Sequence, residues 1–297
     1  MKNVRIINPP TILTDDSRGP DIGMYSLLAR VKESGLPEWL ETGEPELVPR
    51  DHIPLVWRWN YKEGIATYYA RNNVPWIAGQ NIFFDDFGRP VPLILPYEYE
   101  LLHSRSLLGV ITDGSDYGDL IQFACRHQID IMQCPYPPPK EITPQSVDID
   151  FVVYDKLLDR NKSILSSVVE ALPGNVEYIV YGGYKQDDWY ELIANAATVV
   201  YLADNDRYPL AMVEALSAGC DIIGAARCCG PALDFNSGVF APVKYPYNAG
   251  EIAVAASAMQ KLTHEVKVSQ SEDAREWIDK FPQRFVNAID TMRKLSQ

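Results

Sequence analysis

The stretch Thr198-Val-Val-Tyr-Leu-Ala-Asp-Asn-Asp206-Arg-Tyr-Pro-Leu-Ala-Met-Val-Glu214-Ala-Leu-Ser-Ala-Gly219-Cys-Asp-Ile-Ile-Gly224 decides the fold class. Its apolar run ends near Leu202, and a polar loop follows. Pro209 suits the first turn of a helix, where the missing N–H costs nothing. Gly219 ends that helix, and a second apolar run follows. This order of strand, helix and strand predicts a βαβ unit with parallel strands.

The same alternation runs through the whole 297-residue chain. Short apolar runs predict strands, and helical stretches of 8–16 residues follow most of them. There are too many such units for one small sheet. The pattern therefore predicts an α/β protein with two Rossmann-like parallel-sheet domains facing a cleft. The predicted strands are 4–7, 54–57, 76–77, 108–112, 129–133, 149–154, 177–181, 198–202 and 221–224.

A proline-rich segment divides the two predicted domains. Four of the five positions from Pro135 to Pro139 are proline, which excludes a helix interior and a central strand. We predict a first domain over 1–134, a linker over 135–148 and a second domain over 149–272. The C-terminal helix, within 273–297, is predicted to cross back and pack on the first domain.

The composition excludes several classes of protein. The formal net charge is −13, so the composition carries no large basic footprint for nucleic acid. No apolar run of roughly 18 residues exists, so no membrane span is predicted. The five cysteines form no C-x-x-C pair, which argues against a disulfide framework and a zinc site. The expected location is the cytoplasm, a reducing compartment.

Glu214 is the most informative acidic residue of the quoted stretch. Helical spacing puts it on one face with Leu210, Ala211, Ser217 and Ala218, which are small or apolar. A carboxylate in such surroundings needs a partner, and it can accept hydrogen bonds from two neighbouring hydroxyls. The predicted start of its helix also offers unpaired N–H groups to an anion.

This stretch resembles the donor-binding signature of GT-B glycosyltransferases, in particular the retaining glycogen-synthase-like group. That group has two carboxylates separated by seven residues, which here are Asp206 and Glu214 with Tyr208 between them. The resemblance implies that Glu214 holds the ribose hydroxyls of a nucleotide sugar. Asp206 would lie near the hydroxyls of the donor sugar. Asp206 departs from the usual glutamate, which shortens its reach by one methylene.

The resemblance extends to other parts of the second domain. The segment 149–163 resembles the first strand and loop of that domain, where basic residues neutralise the donor diphosphate. It implies that Asp206 and Lys156 are the catalytic residues. A glycine turn after the strand 177–181 would face the nucleotide base. The donor-binding residues implied in this way are Glu214, Lys156, Arg160, Lys162, Gly182, Tyr184, Tyr208, Pro209, Leu210, Gly19 and Gly23.

The acceptor side is expected in the first domain. In parallel sheets, ligands bind beyond the carboxyl ends of the strands. This rule singles out Arg58, Asn60, Asn81 and Ser115 in loops after predicted strands.

The resemblance implies transfer of a sugar from a nucleoside-diphosphate sugar, such as a UDP-sugar, to a hydroxyl acceptor. It further implies retained configuration, with neither a metal nor a cofactor besides the donor. The acceptor would be a small molecule or a glycan. Three alternatives stay open: a DNA glycosyltransferase acting on hydroxymethylated bases, a non-catalytic module that binds nucleotide sugars, and a sugar-phosphate or nucleotide-sugar epimerase of the same fold.

Overall fold

The computed structural model describes residues 2–7, 19–43, 51–57, 63–79, 104–112, 130–157, 164–204, 208–235, 238–259 and 261–296. They form two compact units. The first consists of Met1–Pro139 together with Lys280–Gln297, and the second is Lys140–Asp279. The division after Pro139 lies inside the segment that the prolines mark as a linker.

The first unit is built on a six-stranded parallel sheet in the order β2-β1-β3-β4-β5-β6. Helices α1 (Gly19–Glu33), α2 (Glu63–Arg71) and α9 (Phe281–Lys294) belong to the same unit. Its strands are β1 (Asn3–Ile7), β2 (Leu40–Gly43), β3 (His52–Val56), β4 (Trp76–Ala78), β5 (Leu107–Thr112) and β6 (Ile131–Gln133).

The second unit is built on a five-stranded parallel sheet in the order β11-β10-β9-β7-β8. Its strands are β7 (Ile149–Lys156), β8 (Val176–Val180), β9 (Ala196–Ala203), β10 (Asp221–Ala225) and β11 (Phe240–Val243). Its helices are α3 (Leu165–Ala171), α4 (Gln186–Asn195), α5 (Leu210–Ser217), α6 (Gly230–Phe235), α7 (Ala249–Ala258) and α8 (His264–Ile278).

The central strands are those with the most continuous apolar sequence. All eight residues of β9 are buried, as expected for a parallel strand covered by helices on both faces. The two sheets share one winding: the second strand lies on one side of the first, and all later strands lie on the other side. Two parallel-sheet α/β units are present, which confirms the fold class predicted from the sequence.

The C-terminal region contains two helices that belong to different units. Helix α8 lies in the second unit, whereas α9 contacts α1, β1 and β5 of the first. The break falls at Asp279 and Lys280, directly before Pro282. A proline is unfavourable within a helix but suits a new first turn.

Candidate functional site

The carboxyl edge of the second sheet gathers charged and aromatic side chains. All of its strands are parallel, so their carboxyl ends lie at one edge. The chain leaves β7 for β8 on one side and returns as β9 on the other, so the winding reverses between β7 and β9. Ligands of open α/β sheets bind at such a reversal. The side chains at or just beyond the five strand ends are Tyr245, Arg227, Asp204, Lys156 and Tyr181, in spatial order from β11 to β8.

Lys156 lies at this edge as the last residue of β7. Its Nζ is 4.5 Å from the centre of the Tyr181 ring. Tyr181 is the first residue after β8, and 40% of its surface is exposed. The Tyr181 N–H donates to the Asp155 carbonyl at 2.9 Å, which holds the two strand ends together. Lys156 is thus a cation at a fixed place beside the reversal point, as a diphosphate site requires.

Glu214 lies in the middle of α5 and is almost completely buried, with 2% of its surface exposed. Its carboxylate accepts three hydrogen bonds of 2.9 Å from α4. Gln186 and Tyr190 donate to Oε1, and the Trp189 indole donates to Oε2. Burial raises the pKa of Glu214 from 4.5 to about 7, and the three donors oppose that shift. The hydrogen-bond partners that a buried carboxylate needs are therefore supplied by side chains of α4.

The turn after β8 contains the glycine and the tyrosine predicted for base contact. Gly182 has a φ of +80°, which favours glycine, and a Cβ there would meet no atom of the described residues within 4 Å. The Tyr184 hydroxyl lies 2.8 Å from the Tyr154 hydroxyl, and the two rings meet edge to face. Burial raises the pKa of Tyr184. Tyr184 is thus fixed against β7.

The start of α5 combines a buried tyrosine with an open helix end. The Tyr208 hydroxyl donates to Asp234 Oδ2 on α6 at 3.1 Å, and Tyr208 is buried. Pro209 precedes the first helical residue, Leu210, and no side chain of a described residue caps the helix there. The N–H groups of Met212 and Val213 donate to the Pro209 carbonyl at 3.1 and 3.4 Å, so the N–H groups of Leu210 and Ala211 are the ones that this helix end could offer to an anion.

The glycines predicted for the donor phosphate lie in α1 of the first unit. Gly19 begins this helix, and Gly23 lies four residues further on. A Cβ on Gly23 would overlap the Tyr136 ring, so this glycine permits close packing of the proline-rich segment on the helix. Seven of the predicted site residues lie outside the described residues: Asp206, Arg160, Lys162, Arg58, Asn60, Asn81 and Ser115.

Arg227 is a candidate that the sequence analysis missed. It follows β10, and its Nη2 donates to the Asp204 carbonyl at 2.8 Å. Its guanidinium carbon lies 3.4 Å from the centre of the Tyr245 ring, and the Tyr245 hydroxyl donates to Asp204 Oδ1 at 2.8 Å. The rule that ligands bind beyond the carboxyl ends of strands could have identified it, because Arg227 lies three residues after the end of the predicted strand 221–224.

The described ranges hold neither a cluster of metal ligands nor a membrane-spanning helix. These residues contain no group of three or more His, Cys, Asp or Glu side chains placed to hold a metal ion. No helix among them is long and apolar enough to cross a bilayer.

Comparison by sequence finds no matching family profile and no matching curated protein. Comparison by structure finds glycosyltransferases of similar length. One is AviGT4, a glycosyltransferase of avilamycin A biosynthesis, with 14% identity and a TM-score of 0.54 over 99% of this chain and 98% of that one. WaaG, a glycosyltransferase of lipopolysaccharide biosynthesis, has 11% identity and a TM-score of 0.53 over 96% and 99%.

A third neighbour is a DNA-modifying β-glucosyltransferase studied with uridine diphosphoglucose. It has 12% identity and a TM-score of 0.55 over 98% of this chain and 99% of that chain. At these identities the likeness concerns the fold, and function has to be argued from the site. The neighbours are GT-B glycosyltransferases, so the two-sheet α/β fold predicted from the sequence is confirmed.

Proposed function

We propose that this chain is a glycosyltransferase that moves a sugar from a nucleoside-diphosphate sugar to a hydroxyl acceptor. The observation that carries the proposal is the carboxyl edge of the second sheet. There Lys156 and the start of α5 lie around the point where the winding reverses, on the fold of known glycosyltransferases. We further propose that the reaction retains the anomeric configuration and needs no metal.

The donor diphosphate is proposed to lie between Lys156 and the start of α5. Both features suit an anion: one is a cation and the other a set of backbone N–H groups at the positive end of a helix dipole. Arg160 and Lys162 are the further cations that the sequence offers for the same group. Negative charge grows on the diphosphate as it leaves, so fixed positive groups lower the barrier.

The nucleoside is proposed to extend from the diphosphate towards β8. The open turn at Gly182 permits close approach of a base, and Tyr184 lies beside it. Glu214 is the proposed acceptor for the ribose hydroxyls. Gln186 and Tyr190 both donate to its Oε1. A ribose hydroxyl would therefore replace Gln186, which is half-buried, and not the buried Tyr190. The buried Trp189 and Tyr190 would keep the carboxylate in place.

The chemical step is proposed to depend on positioning. Asp206 would meet the donor sugar, and Lys156 would stabilise the leaving diphosphate as the acceptor oxygen attacks the anomeric carbon. The transition state resembles an oxocarbenium ion, so correct placement and charge stabilisation supply most of the acceleration. Arg58, Asn60, Asn81 and Ser115 are proposed to select the acceptor, which we expect to be a small molecule or a glycan.

A donor screen tests this function. Thermal melting with UDP-, GDP-, ADP- and TDP-sugars should reveal one stabilising donor, and slow hydrolysis of that donor should follow. Lys156→Ala should raise the Kd for the matching nucleoside diphosphate at least tenfold. The control is Lys261→Ala, an exposed lysine outside the strand ends, which should leave the Kd within twofold. Absence of binding to every donor would refute the proposal.

A modified DNA base is the second candidate acceptor. The structural likeness to the DNA-modifying β-glucosyltransferase favours it, and the net charge of −13 opposes it. Transfer of labelled sugar to duplex DNA with hydroxymethylated bases, and none to unmodified DNA, would establish this acceptor. Donor binding without hydrolysis or transfer to any acceptor would instead indicate a non-catalytic binding module.

A further inference from the structure

Three polar side chains beyond the ends of β9, β10 and β11 have no part in the proposed function so far. They are Asp204, Arg227 and Tyr245, which we call the β9–β11 cluster. Arg227 is exposed and Tyr245 is 41% exposed, while Asp204 is half-buried. All three lie within the second unit, at the same sheet edge as Lys156.

The β9–β11 cluster fixes an arginine that would otherwise move freely in solvent. The Asp204 carbonyl accepts from Arg227 at 2.8 Å, and the Tyr245 ring lies 3.4 Å beneath the guanidinium carbon. Tyr245 is itself held, because its hydroxyl donates to Asp204 Oδ1. An exposed arginine ordered in this way has already lost much of its side-chain entropy, so it binds a ligand at lower cost.

The strand order decides which part of a donor the cluster can reach. Strand β10 lies two positions from β7, and neighbouring strands are about 4.8 Å apart, so the ends that carry Arg227 and Lys156 are separated by about 10 Å. The Arg227 guanidinium itself reaches back to the end of β9, where it lies 2.8 Å from the Asp204 carbonyl, on the side of β7 that faces away from β8. If Lys156 holds the diphosphate and the turn after β8 meets the base, the cluster meets the opposite end of the donor, the sugar.

The chemistry of the cluster suits a neutral sugar. Arg227 can donate from several N–H groups, since a guanidinium has five. The Asp204 carboxylate beside it accepts hydrogen bonds and repels a second anion. Donors and acceptors placed side by side match the hydroxyls of a hexose better than a phosphate or a carboxylate.

We propose that the β9–β11 cluster binds the neutral sugar of the nucleotide-sugar donor, with Arg227 as its specificity-determining residue. This inference rests on the proposed function and adds the subsite and the sugar class. In this arrangement the donor lies along the sheet edge, with the base at β8, the diphosphate at β7 and the sugar at β9–β11.

The test compares a complete donor with the same nucleotide without its sugar. Titration calorimetry would measure the Kd of UDP and of UDP-glucose, or of GDP and GDP-mannose if the donor screen selects guanosine. Arg227→Ala should raise the Kd of the nucleotide sugar at least tenfold and leave that of the nucleoside diphosphate within twofold. Lys156→Ala should weaken both ligands. Arg105→Ala, an exposed arginine of the first unit, is the matched control.

Two further variants separate a contact with the sugar from a loss of structure. Tyr245→Phe keeps the ring under the guanidinium but removes the hydroxyl bond to Asp204, and it should raise the KM for donor hydrolysis two- to fivefold. Arg227→Lys keeps the charge and loses the planar group, so it should recover only part of the affinity. Unchanged melting temperatures would show that the variants fold.

Each other outcome refutes the inference in its own way. Equal loss of affinity for both ligands in Arg227→Ala would place Arg227 on the diphosphate. No loss for either ligand would show that the β9–β11 cluster does not touch the donor. Failure of the unaltered protein to bind any nucleotide or nucleotide sugar would refute the proposed function itself, and this inference would fall with it.

Discussion

Replacement of Glu214 by glutamine should change how the stability of the second unit depends on pH. The folded protein holds this carboxyl at a pKa of about 7, because burial disfavours its charge, whereas the ordinary pKa of a glutamate is 4.5. Between these two values the folded state keeps a proton that the unfolded chain has released. Raising the pH through this window therefore lowers the free energy of unfolding.

The magnitude follows from the size of the shift. A shift of about 2.5 pKa units at roughly 1.4 kcal/mol per unit corresponds to about 3 kcal/mol. Glu214→Gln cannot ionise but keeps the shape of the side chain. The stability of the unaltered protein minus that of Glu214→Gln should therefore fall by about 3 kcal/mol between pH 4.5 and pH 8.

Urea unfolding at pH 4.5, 5.5, 6.5 and 8, followed by circular dichroism, measures this difference. The matched control is Glu191→Gln, an exposed glutamate on the same helix as the three donors. A difference for Glu214→Gln that stays constant within 0.5 kcal/mol, roughly the scatter expected of surface substitutions, would refute the reasoning. Glu214 would then titrate like an exposed carboxylate.

Three further predictions concern other buried or paired groups. Gly219→Ala should destabilise the second unit by about 3 kcal/mol, because φ is +76° and a Cβ would overlap the Lys267 carbonyl. Thermal melting would show this, and Gly238→Ala, with a φ of +79° and no atom within 4 Å, should cost only about 1 kcal/mol. Lys267→Met should cost about 3 kcal/mol, since the buried ammonium donates to the Ser146, Ile193 and Ala194 carbonyls. A melting temperature equal to that of Lys261→Met would contradict it. Hydrogen bonds to Asp51 and Glu41 raise the pKa of His52 above 6.5. The contribution of these contacts to the free energy of unfolding is therefore complete below pH 6.5 and is lost as the pH rises through the pKa of the folded state. NMR titration of His52 would find a normal pKa if these contacts do not form in solution.

The fold was predictable because its central strands are mainly apolar. The predicted strands 149–154 and 198–202 correspond to β7 and β9, which pair at the centre of the second sheet. Strand β2 was missed because its four residues, Leu40 to Gly43, are mostly half-buried at an edge. There Glu41 pairs with Arg5 of β1, an interaction that no periodicity within 40–43 could indicate.

The candidate site was predictable only in part, because its contacts join distant segments. The surroundings of Glu214 within its own helix showed that it needs a partner. The partners, Trp189 and Tyr190, lie on α4, and only the packing of α4 on α5 identifies them. Likewise, Arg227 and Tyr245 are 18 positions apart in sequence, and the pairing of β10 with β11 brings them together.

The two sheets share one winding but differ in what their strand ends carry. In the first sheet, Trp57 directly follows β3 and is buried, with its ring against Tyr136 and with Gly79 packed closely upon it. Among the described residues, the ends of β3 and β4 are therefore filled by apolar packing.

In the second sheet, the ends of β7, β9 and β10 carry Lys156, Asp204 and Arg227. A diphosphate needs fixed cations, and a sugar needs paired donors and acceptors. The strand ends of the second unit supply both, which supports the proposal that the donor binds to this unit.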